Sequence, residues 1–377
     1  MLKAVLFTAD AGLTGMVRGM AAESNQFSLA DIAEWSPTGY PVARVFNLIT
    51  PDVILLDVSN ADRDLAHAAA IHEYSPTVPM VGLAARDIQP IVDANPEYGL
   101  ASLAVWPFDT ISLEQAIARA VHKSAGKIYQ NLVTFLPGKA GCGASTVVLH
   151  TAVMAAKTGN KVLVLEGDLH SGVLGTLLNL KPQLTIREAL AAAPEMEERI
   201  WQRHVATAHG VDFLLSDPAQ KEPIPSWSHF YQLLRFATPR YALIMVDLPE
   251  VVNSATAETV RASRCSYVVT TPELPALKLS HYRCLELKNW GLDDSRIKVV
   301  MNRWHQRSDM SVSDAEEILD HSVATTIRND YRTLQQAILR GVPVEEKSEL
   351  AEAYLKFARL LTGTQPSKKG LMGLFRK

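Results

Sequence analysis

Nine residues, 138 to 146, carry the clearest chemical pattern in the chain and read GKAGCGAST. Their spacing, G-x-x-x-x-G-x-[ST] between an apolar strand and a helix starting near Ala144, is that of a phosphate-binding loop. Gly138, Gly141 and Gly143 allow the backbone to turn sharply and to direct successive N–H groups at one anion. The N-terminus of the following helix adds a partial positive charge. The sequence therefore predicts a site for a phosphorylated ligand.

The side chains of this loop are only partly those of an ordinary phosphate loop. Ser145 is expected to offer its hydroxyl to Mg²⁺, and Thr146 to lie near the α-phosphate. The lysine that normally reaches the β- and γ-phosphates is missing, because position 144 is alanine, whereas Lys139 remains earlier in the loop. Its loss removes a charge-assisted contact of roughly 1.5–3 kcal/mol. We therefore predict that binding survives and that hydrolysis is weak or absent, since phosphoryl transfer depends on nearby cations.

Three later segments contain polar residues at or near the ends of apolar strands. VLVLEGDLHSG contains Asp168, YALIMVDLPE contains Asp247, and VVMNRW contains Asn302. With the early lysine, this ordered set resembles the MinD/ParA family, whose phosphate loop is a deviant Walker A motif. The resemblance implies ATP as the ligand and a dimer that encloses it, with Lys139 crossing the interface to the partner's nucleotide.

The resemblance also implies roles for individual residues. Asp168 stands where the family places the aspartate that orients the attacking water, so Asp168 and Lys139 are the expected catalytic residues. Asp247 ends the Walker B strand and is expected to hold Mg²⁺ with Ser145. Asn302 is expected to read the adenine base. The full set expected to contact the nucleotide is Gly138, Lys139, Ala140, Gly141, Cys142, Gly143, Ala144, Ser145, Thr146, Asn302 and Arg303.

Two features point to one branch of that family. A loop of the type K-[GA]-G-C-G-A-[ST]-T, and the segment IRNDYRTLQQAILRGVPV with Arg328 where proline is usual, resemble the TadZ/CpaE group. Proteins of that group position the Tad/Flp pilus secretion machine and join a receiver-like domain to a MinD-like ATPase. The resemblance implies a homodimer, pilus or secretion proteins as partners, and a polar location in the cell.

The N-terminal part shows the strand and helix alternation that such a receiver needs. Apolar runs in KAVLFTAD, PDVILLDVS, VPMVGLAA and LASLAVWP alternate with helix-period segments, which predicts a doubly wound parallel sheet. Asp57 occupies the position of a phosphate-accepting aspartate. Its expected helpers are replaced by Ala9, Ala84 and Trp106, which removes the metal and charge partners of a phosphoryl group. We predict a degenerate receiver that docks a partner or dimerises.

A second strand and helix series begins at the phosphate loop and contains five predicted strands, again as a doubly wound sheet. The fold class is thus α/β with two parallel-sheet domains, receiver-like (flavodoxin-like) and then MinD/ParA-like. The predicted limits are 1–125 for the receiver-like domain, 126–131 for a linker, 132–363 for the ATPase domain and 364–377 for a tail.

Composition excludes several classes of protein. A chain of 377 residues with 37 Lys+Arg, 40 Asp+Glu and a net charge of −3 is an ordinary globular protein and offers no case for nucleic-acid binding. Three dispersed cysteines indicate neither disulfides nor zinc and favour a cytoplasmic location. The tail, KKGLMGLFRK at its end, combines cations with apolar residues and leaves two interpretations open, peripheral contact with the inner face of a membrane or a frayed, solvated terminus.

Two functions remain open from the sequence. The first is an ATP-binding localisation or assembly factor for a pilus or secretion machine, in which ATP acts mainly as a dimerising ligand. The second is an active ParA/MinD-type ATPase that positions cargo on DNA or membrane. Binding to DNA requires a basic face, and residues 130–362 contain no cluster of lysines and arginines.

Overall fold

The computed structural model describes residues 1–33, 51–75, 78–124, 128–220, 227–251, 254–305 and 310–363. The chain forms two compact units, Met1–Lys127 and Ile128–Lys377. The predicted tail, 364–377, lies outside the described residues. None of the described helices is long and apolar enough to cross a membrane.

The first unit is a five-stranded parallel sheet with helices between the strands. Its elements are β1 Leu2–Phe7, α1 Ala11–Glu23, β2 Phe27–Ala33, β3 Val53–Asp57, α2 Ala61–Tyr74, β4 Met80–Ala84, α3 Gln89–Ala94, β5 Leu100–Val105 and α4 Thr110–Ser124. The strand order is β2-β1-β3-β4-β5, and every pair is parallel. This is a doubly wound order in which the strands' carboxyl ends share one edge.

The predicted parallel sheet of the first unit is confirmed, but the sequence analysis missed one strand. β2 lies at the edge of the sheet, and its sequence, FSLADIA, is only partly buried. The four predicted strands contain continuous buried runs such as VILLD. An edge strand lacks this signal, because only one side of it is covered by a neighbouring strand.

The second unit is larger and contains an eight-stranded sheet. Its strands are β6 Tyr129–Pro137, β7 Val162–Glu166, β8 Ala206–Ala208, β9 Val211–Leu214, β10 Leu243–Asp247, β11 Ser263–Thr270, β12 Ile297–Trp304 and β13 Val323–Arg328. Its helices are α5 Ala144–Lys157, α6 Leu174–Leu177, α7 Ile186–Ala192, α8 Glu198–His204, α9 Trp227–Ala237, α10 Ser254–Ala262, α11 Leu274–Asn289, α12 Val312–Leu319, α13 Tyr331–Arg340 and α14 Glu349–Thr362.

The strand order of this sheet is β13-β12-β11-β6-β10-β7-β9-β8. All neighbours are parallel except β8 and β9, which form an antiparallel pair. The five predicted strands are present as β6, β7, β10, β11 and β12. The sequence missed β8 and β9, which are short, and β13, an edge strand with mostly half-buried residues.

β6 begins earlier than predicted, so the last three residues of the predicted linker belong to the sheet. Tyr129 pairs with Ser263 of β11. The Asn131 side-chain amide donates to the carbonyl oxygens of Thr238 and Tyr241, at 2.8 and 2.7 Å. These long-range hydrogen bonds pair the Asn131 amide group within the fold. The local sequence around Asn131 gives no sign of them and therefore predicts a linker.

The core of the second unit lies on both faces of the central strands β6, β10 and β11. On one face, Phe135 of β6 stacks on Tyr267 of β11, and Phe357 of α14 meets both rings edge-on. Beside them, His150 of α5 stacks on Tyr354 of α14 with ring centroids 5.0 Å apart. Helix α14 therefore fixes α5, the helix that follows the phosphate loop, against the sheet.

His150 is expected to make the protein sensitive to acid. Burial lowers its pKa from 6.5 to about 4, although its Nδ1 lies 2.8 Å from the carbonyl oxygen of Thr146. The unfolded chain therefore binds a proton below pH 6.5 that the folded chain excludes. Stability should fall as the pH drops through this window, by about 2 kcal/mol between pH 6.5 and 5.

Urea denaturation at pH 5, 6 and 7 measures this effect. His150→Phe retains a ring against Tyr354 but does not titrate, so its free energy of unfolding should lose this part of the pH dependence. Equal pH dependence in the two proteins would contradict the assignment.

Candidate functional site

The predicted phosphate loop connects β6 to α5 and has the backbone geometry that its glycines suggest. Gly141 and Gly143 have positive φ angles of 77° and 90°, in the left-handed region that glycine tolerates. A Cβ atom at Gly143 would lie 2.5 Å from Nδ2 of Asn302, and one at Gly138 would lie 1.9 Å from Oγ of Ser280. Close neighbours as well as backbone conformation therefore require glycine in this loop.

Two residues near the end of β12 hold the loop by its carbonyl groups. Asn302 Nδ2 donates to the carbonyl oxygen of Cys142 at 2.9 Å, and Arg303 Nη2 donates to that of Gly141 at 2.8 Å. Arg303 has a positive φ of 55°, which is uncommon for a residue with a side chain. Both residues thus fix the loop, a role that the sequence did not predict. Base reading by Asn302 stays a prediction.

The loop opens onto a cavity of about 850 Å³. This lies within the range of ligand pockets, roughly 300–1,000 Å³. The predicted residues that line it are Ala140, Gly141, Cys142, Gly143, Ala144, Ser145, Thr146, Asp168, Asp247 and Arg303. Gly138, Lys139 and Asn302 are outside its lining.

Asp247 ends β10 at the floor of this cavity and is buried. Burial raises the pKa of its carboxyl group to about 7. A hydrogen bond from Ser145 opposes the shift, and the carboxylates of Glu166 and Asp168 increase it. A buried carboxylate next to a hydroxyl, both facing a cavity, is a donor set that suits Mg²⁺. No group of three or more His, Cys, Asp or Glu side chains within the described ranges could hold a metal.

Asp168 lies at another wall of the cavity, in the turn after β7. Its Oδ1 accepts hydrogen bonds from the backbone N–H groups of His170 and Ser171, at 3.1 and 2.8 Å. The same oxygen therefore shapes the turn. Its role in orienting water remains a prediction.

Glu166, two residues before Asp168, is a residue that the sequence analysis missed. Its buried carboxylate accepts hydrogen bonds from the backbone N–H of Leu174 at 2.6 Å, and from the N–H and hydroxyl of Ser216 at 2.8 and 2.9 Å. Burial raises its pKa, and these hydrogen bonds oppose the rise. Glu166 thereby fixes the segment that carries Asp168. The second acid in LEGD, at the end of an apolar strand, was the available signal.

Lys139 and Ala144 differ in position as well as in chemistry. Ala144 is buried at the start of α5, whereas Lys139 is exposed. Within the described part of the chain, the Lys139 ammonium group has no hydrogen-bond or ion-pair partner. The loop's own lysine is therefore available to a second molecule, and among the described residues Arg303 is the one lysine or arginine that lines the cavity.

Glu250 is a second residue that the sequence analysis did not single out, although it appears in DLPE directly after the Walker B strand. Its Oε1 accepts a hydrogen bond from the backbone N–H of Ala140 at 2.9 Å. A carboxylate of the chain itself is thus bound to the phosphate loop.

Comparison with known proteins covers the part of the chain that carries this site. No family model matches the sequence. The septum site-determining protein MinD of Thermotoga maritima is 24% identical over 242 residues, which are 62% of this chain and 88% of MinD. An uncharacterised ATP-binding protein of Methanocaldococcus jannaschii is 23% identical over 236 residues, 62% of this chain and 88% of its own length. Over about 62% of its length the chain is therefore similar in sequence to a MinD protein and to an ATP-binding protein.

Solved structures of MinD/ParA proteins share this fold. A ParA family ATPase from Chlorobium tepidum superposes with a TM-score of 0.57 at 21% identity, covering 61% of this chain and 98% of its own. MinD from Pyrococcus horikoshii, solved with Mg-ADP, gives 0.51 at 21% identity, with 61% and 95% coverage. MinD in the MinC:MinD complex of Aquifex aeolicus gives 0.52 at 20% identity, with 62% and 97% coverage.

Asp57 of the first unit lies at the carboxyl end of β3 and is fully engaged. Its Oδ2 accepts a hydrogen bond from the Thr8 hydroxyl at 2.7 Å. Its Oδ1 accepts from the N–H and hydroxyl of Ser59, at 3.0 and 2.6 Å. Trp106, at the predicted lysine position, is 56% exposed and lines an adjacent cavity of about 340 Å³ with Ala84. Both carboxylate oxygens of Asp57 therefore already accept hydrogen bonds from neighbouring residues.

The first prediction from these sites concerns the pH dependence of stability through Asp247. Between about pH 4 and 7, the folded chain keeps a proton that the unfolded chain loses, since the unfolded pKa is 3.8 and the folded pKa about 7. Stability without metal should therefore fall as the pH rises through this window, by up to about 1.4 kcal/mol per pH unit.

Urea denaturation in EDTA between pH 5 and 8 tests this. Asp247→Asn should lack this slope, whereas Asp293→Asn, at an exposed carboxylate, should keep the wild-type slope. A wild-type slope in Asp247→Asn would contradict the raised pKa.

The second prediction concerns phosphorylation of Asp57. Because Ala84 and Trp106 stand where the receiver resemblance would place a hydroxyl group and a lysine, incubation with acetyl phosphate and Mg²⁺ should leave the protein unlabelled by intact-mass spectrometry. Stoichiometric labelling that is lost in Asp57→Asn would show a working receiver.

Proposed function

We propose that this chain binds Mg-ATP at the phosphate loop and uses it mainly as a dimerising ligand, to localise or assemble a Tad/Flp-type pilus or secretion machine. The observation that carries the proposal is the cavity in which the loop, the Ser145 hydroxyl and the buried Asp247 carboxylate face the same space. Backbone N–H groups of the loop and of the first turn of α5 would bind the phosphates. Ser145 and Asp247 would hold Mg²⁺, which supplies positive charge to the β- and γ-phosphates.

The positions of two cationic side chains, Arg303 and Lys139, favour dimerisation over rapid hydrolysis. Ala144 leaves the loop without its usual lysine, and the guanidinium of Arg303 is bound to the loop carbonyl of Gly141. Lys139 is exposed and points to no partner in the described chain, which suits the contact with a second copy that the family resemblance implies. Catalysis by Asp168 and Lys139 is thus expected to be weak at most.

The proposed pilus role is supported by one sequence segment, part of which lies at the protein surface. The segment IRNDYRTLQQAILRGVPV spans the end of β13 and α13, where the Asp330 side chain caps the helix by accepting from the N–H of Thr333 at 3.1 Å. Tyr331 and Leu339 of this helix are 68% and 79% exposed. Large apolar side chains exposed on a helix suit a docking function, and MinC:MinD is a complex in which a protein of similar fold is found with a partner.

The first unit is proposed as a receiver-like docking domain. Its strand order, 2-1-3-4-5, is that of flavodoxin-like folds, which include receivers. The engaged Asp57 and the exposed Trp106 favour partner binding over phosphorylation. Peripheral membrane contact through the tail, together with a position at the cell pole or inner membrane face, completes the proposal.

Nucleotide binding and turnover are the direct test. Calorimetry should show Mg-ATP binding to the wild type and weaker binding to Asp247→Ala and Lys139→Ala. Turnover should stay below about one per second per site, near the order of the median enzyme. Ala144→Lys should raise turnover, because it restores a cation beside the transferred phosphoryl group.

The same samples test dimerisation. Light scattering should show a dimer with Mg-ATP that Lys139→Ala weakens. Absence of nucleotide binding in the wild type and in every variant would refute the proposal, whereas wild-type turnover above that limit would favour an active ATPase.

A further inference from the structure

The contact between Glu250 and the phosphate loop places a negative group where a ligand's negative group is expected. Glu250 follows Asp247 by three residues, and both it and Ala140 line the cavity. Its Oε1 accepts from the N–H of Ala140 at 2.9 Å. N–H groups of such a loop bind phosphate oxygens. The Glu250 carboxylate therefore occupies one of these donors, the N–H of Ala140.

A second contact holds Glu250 in this position from the other side. Arg283 of α11 donates from Nη2 to the backbone carbonyl oxygen of Glu250 at 2.7 Å, and its Nη1 pairs with the Glu286 carboxylate. The Arg283 side chain is only 11% exposed. The segment after β10 is therefore attached to α11 through its backbone and to the phosphate loop through the Glu250 carboxylate.

The position of Glu250 in the cavity corresponds to the far end of a polyphosphate. The first turn of α5, with Thr146, would receive the phosphate nearest the nucleoside. Ser145 and Asp247 would hold Mg²⁺, which would supply positive charge to the β- and γ-phosphates. Glu250 lies on the segment that begins at Asp247 and contacts the loop at Ala140, well before the helix. It therefore lies beside the place of the terminal phosphate.

The charged side chains that line the cavity determine how the Glu250 carboxylate would affect a bound γ-phosphate. Asp168, Asp247 and Glu250 contribute carboxylates, whereas Arg303 is the one lysine or arginine in the lining that the described residues provide. With alanine at position 144, a γ-phosphate would meet the Glu250 carboxylate without the lysine that normally offsets its charge. Glu250 is exposed, so solvent weakens the repulsion between its carboxylate and a phosphate but does not remove it at contact distance.

We propose that Glu250 is a specificity-determining residue that favours a nucleoside diphosphate over a triphosphate, and that ATP binds only when it displaces the Glu250 carboxylate from Ala140. The inference rests on the proposed function, since it concerns the same site.

The test compares two nucleotides on the full-length chain by calorimetry. Mg-ADP and the non-hydrolysable analogue Mg-AMPPNP are titrated into the wild type, Glu250→Gln and Glu317→Gln. Glutamine keeps the size of the side chain and an oxygen for the Ala140 N–H but lacks the charge. Glu317 is an exposed carboxylate on α12, so its variant makes the same change of net charge away from the cavity.

The wild type should bind Mg-ADP at least about tenfold more tightly than Mg-AMPPNP, a difference of about 1.4 kcal/mol. Glu250→Gln should reduce this ratio about tenfold by tightening Mg-AMPPNP, whereas Glu317→Gln should leave it unchanged. Binding of Mg-AMPPNP by Glu250→Gln alone would also support the inference. Thermal melts of all three proteins confirm that each is folded.

Two results would overturn the inference, and they differ in what they leave standing. If the wild type binds both nucleotides and Glu250→Gln does not change their ratio, Glu250 does not select the ligand, and the proposed nucleotide function stands. If neither the wild type nor Glu250→Gln binds either nucleotide, the proposed function fails, and the inference fails with it.

Discussion

The hydrogen bonds from β12 to the phosphate loop are the interactions on which the second unit's site depends. Asn302 and Arg303 bind the carbonyl oxygens of Cys142 and Gly141, so the loop's backbone is fixed by a strand some 160 residues away. A peptide group whose carbonyl is held has its N–H direction held as well, because the group is planar. The parallel sheet makes this possible, since β6, β11 and β12 are successive neighbours whose carboxyl ends meet at one edge.

Around this fixed loop, carboxyl groups outnumber the lysines and arginines that the described residues provide. Asp247 is buried and has a raised pKa, Glu166 is buried under three hydrogen bonds, and Glu250 is bound to the loop itself. Placing several carboxyl groups close together costs free energy unless cations bind beside them. Mg²⁺ is one expected source, and an exposed Lys139 from a second copy is the other. The same deficit of positive charge that leads us to predict weak hydrolysis would therefore make the bound state depend on a partner.

The two units show different uses of the same topology. Both place side chains at the carboxyl ends of parallel strands, where doubly wound proteins bind ligands. In the second unit those ends carry a phosphate loop and a cavity of about 850 Å³. In the first, Thr8 and Ser59 occupy both oxygens of Asp57, and the neighbouring surface is an exposed tryptophan. This contrast explains why binding is proposed for one unit and docking for the other.

The sequence alone determined the elements with strong local signals: the glycine loop, the central apolar strands that end at Asp57 and Asp247 or just before Asp168, and the absence of a lysine at position 144. These follow from side-chain type and spacing, which act over a few residues. The edge strands β2 and β13 were not predicted, because half-buried strands lack a continuous apolar run. Only the tertiary structure decided that Asn302 ties the loop, that Glu166 holds the Asp168 turn, and that Glu250 binds Ala140. Each of these contacts joins residues distant in sequence, and the folded sheet alone brings them within hydrogen-bond distance.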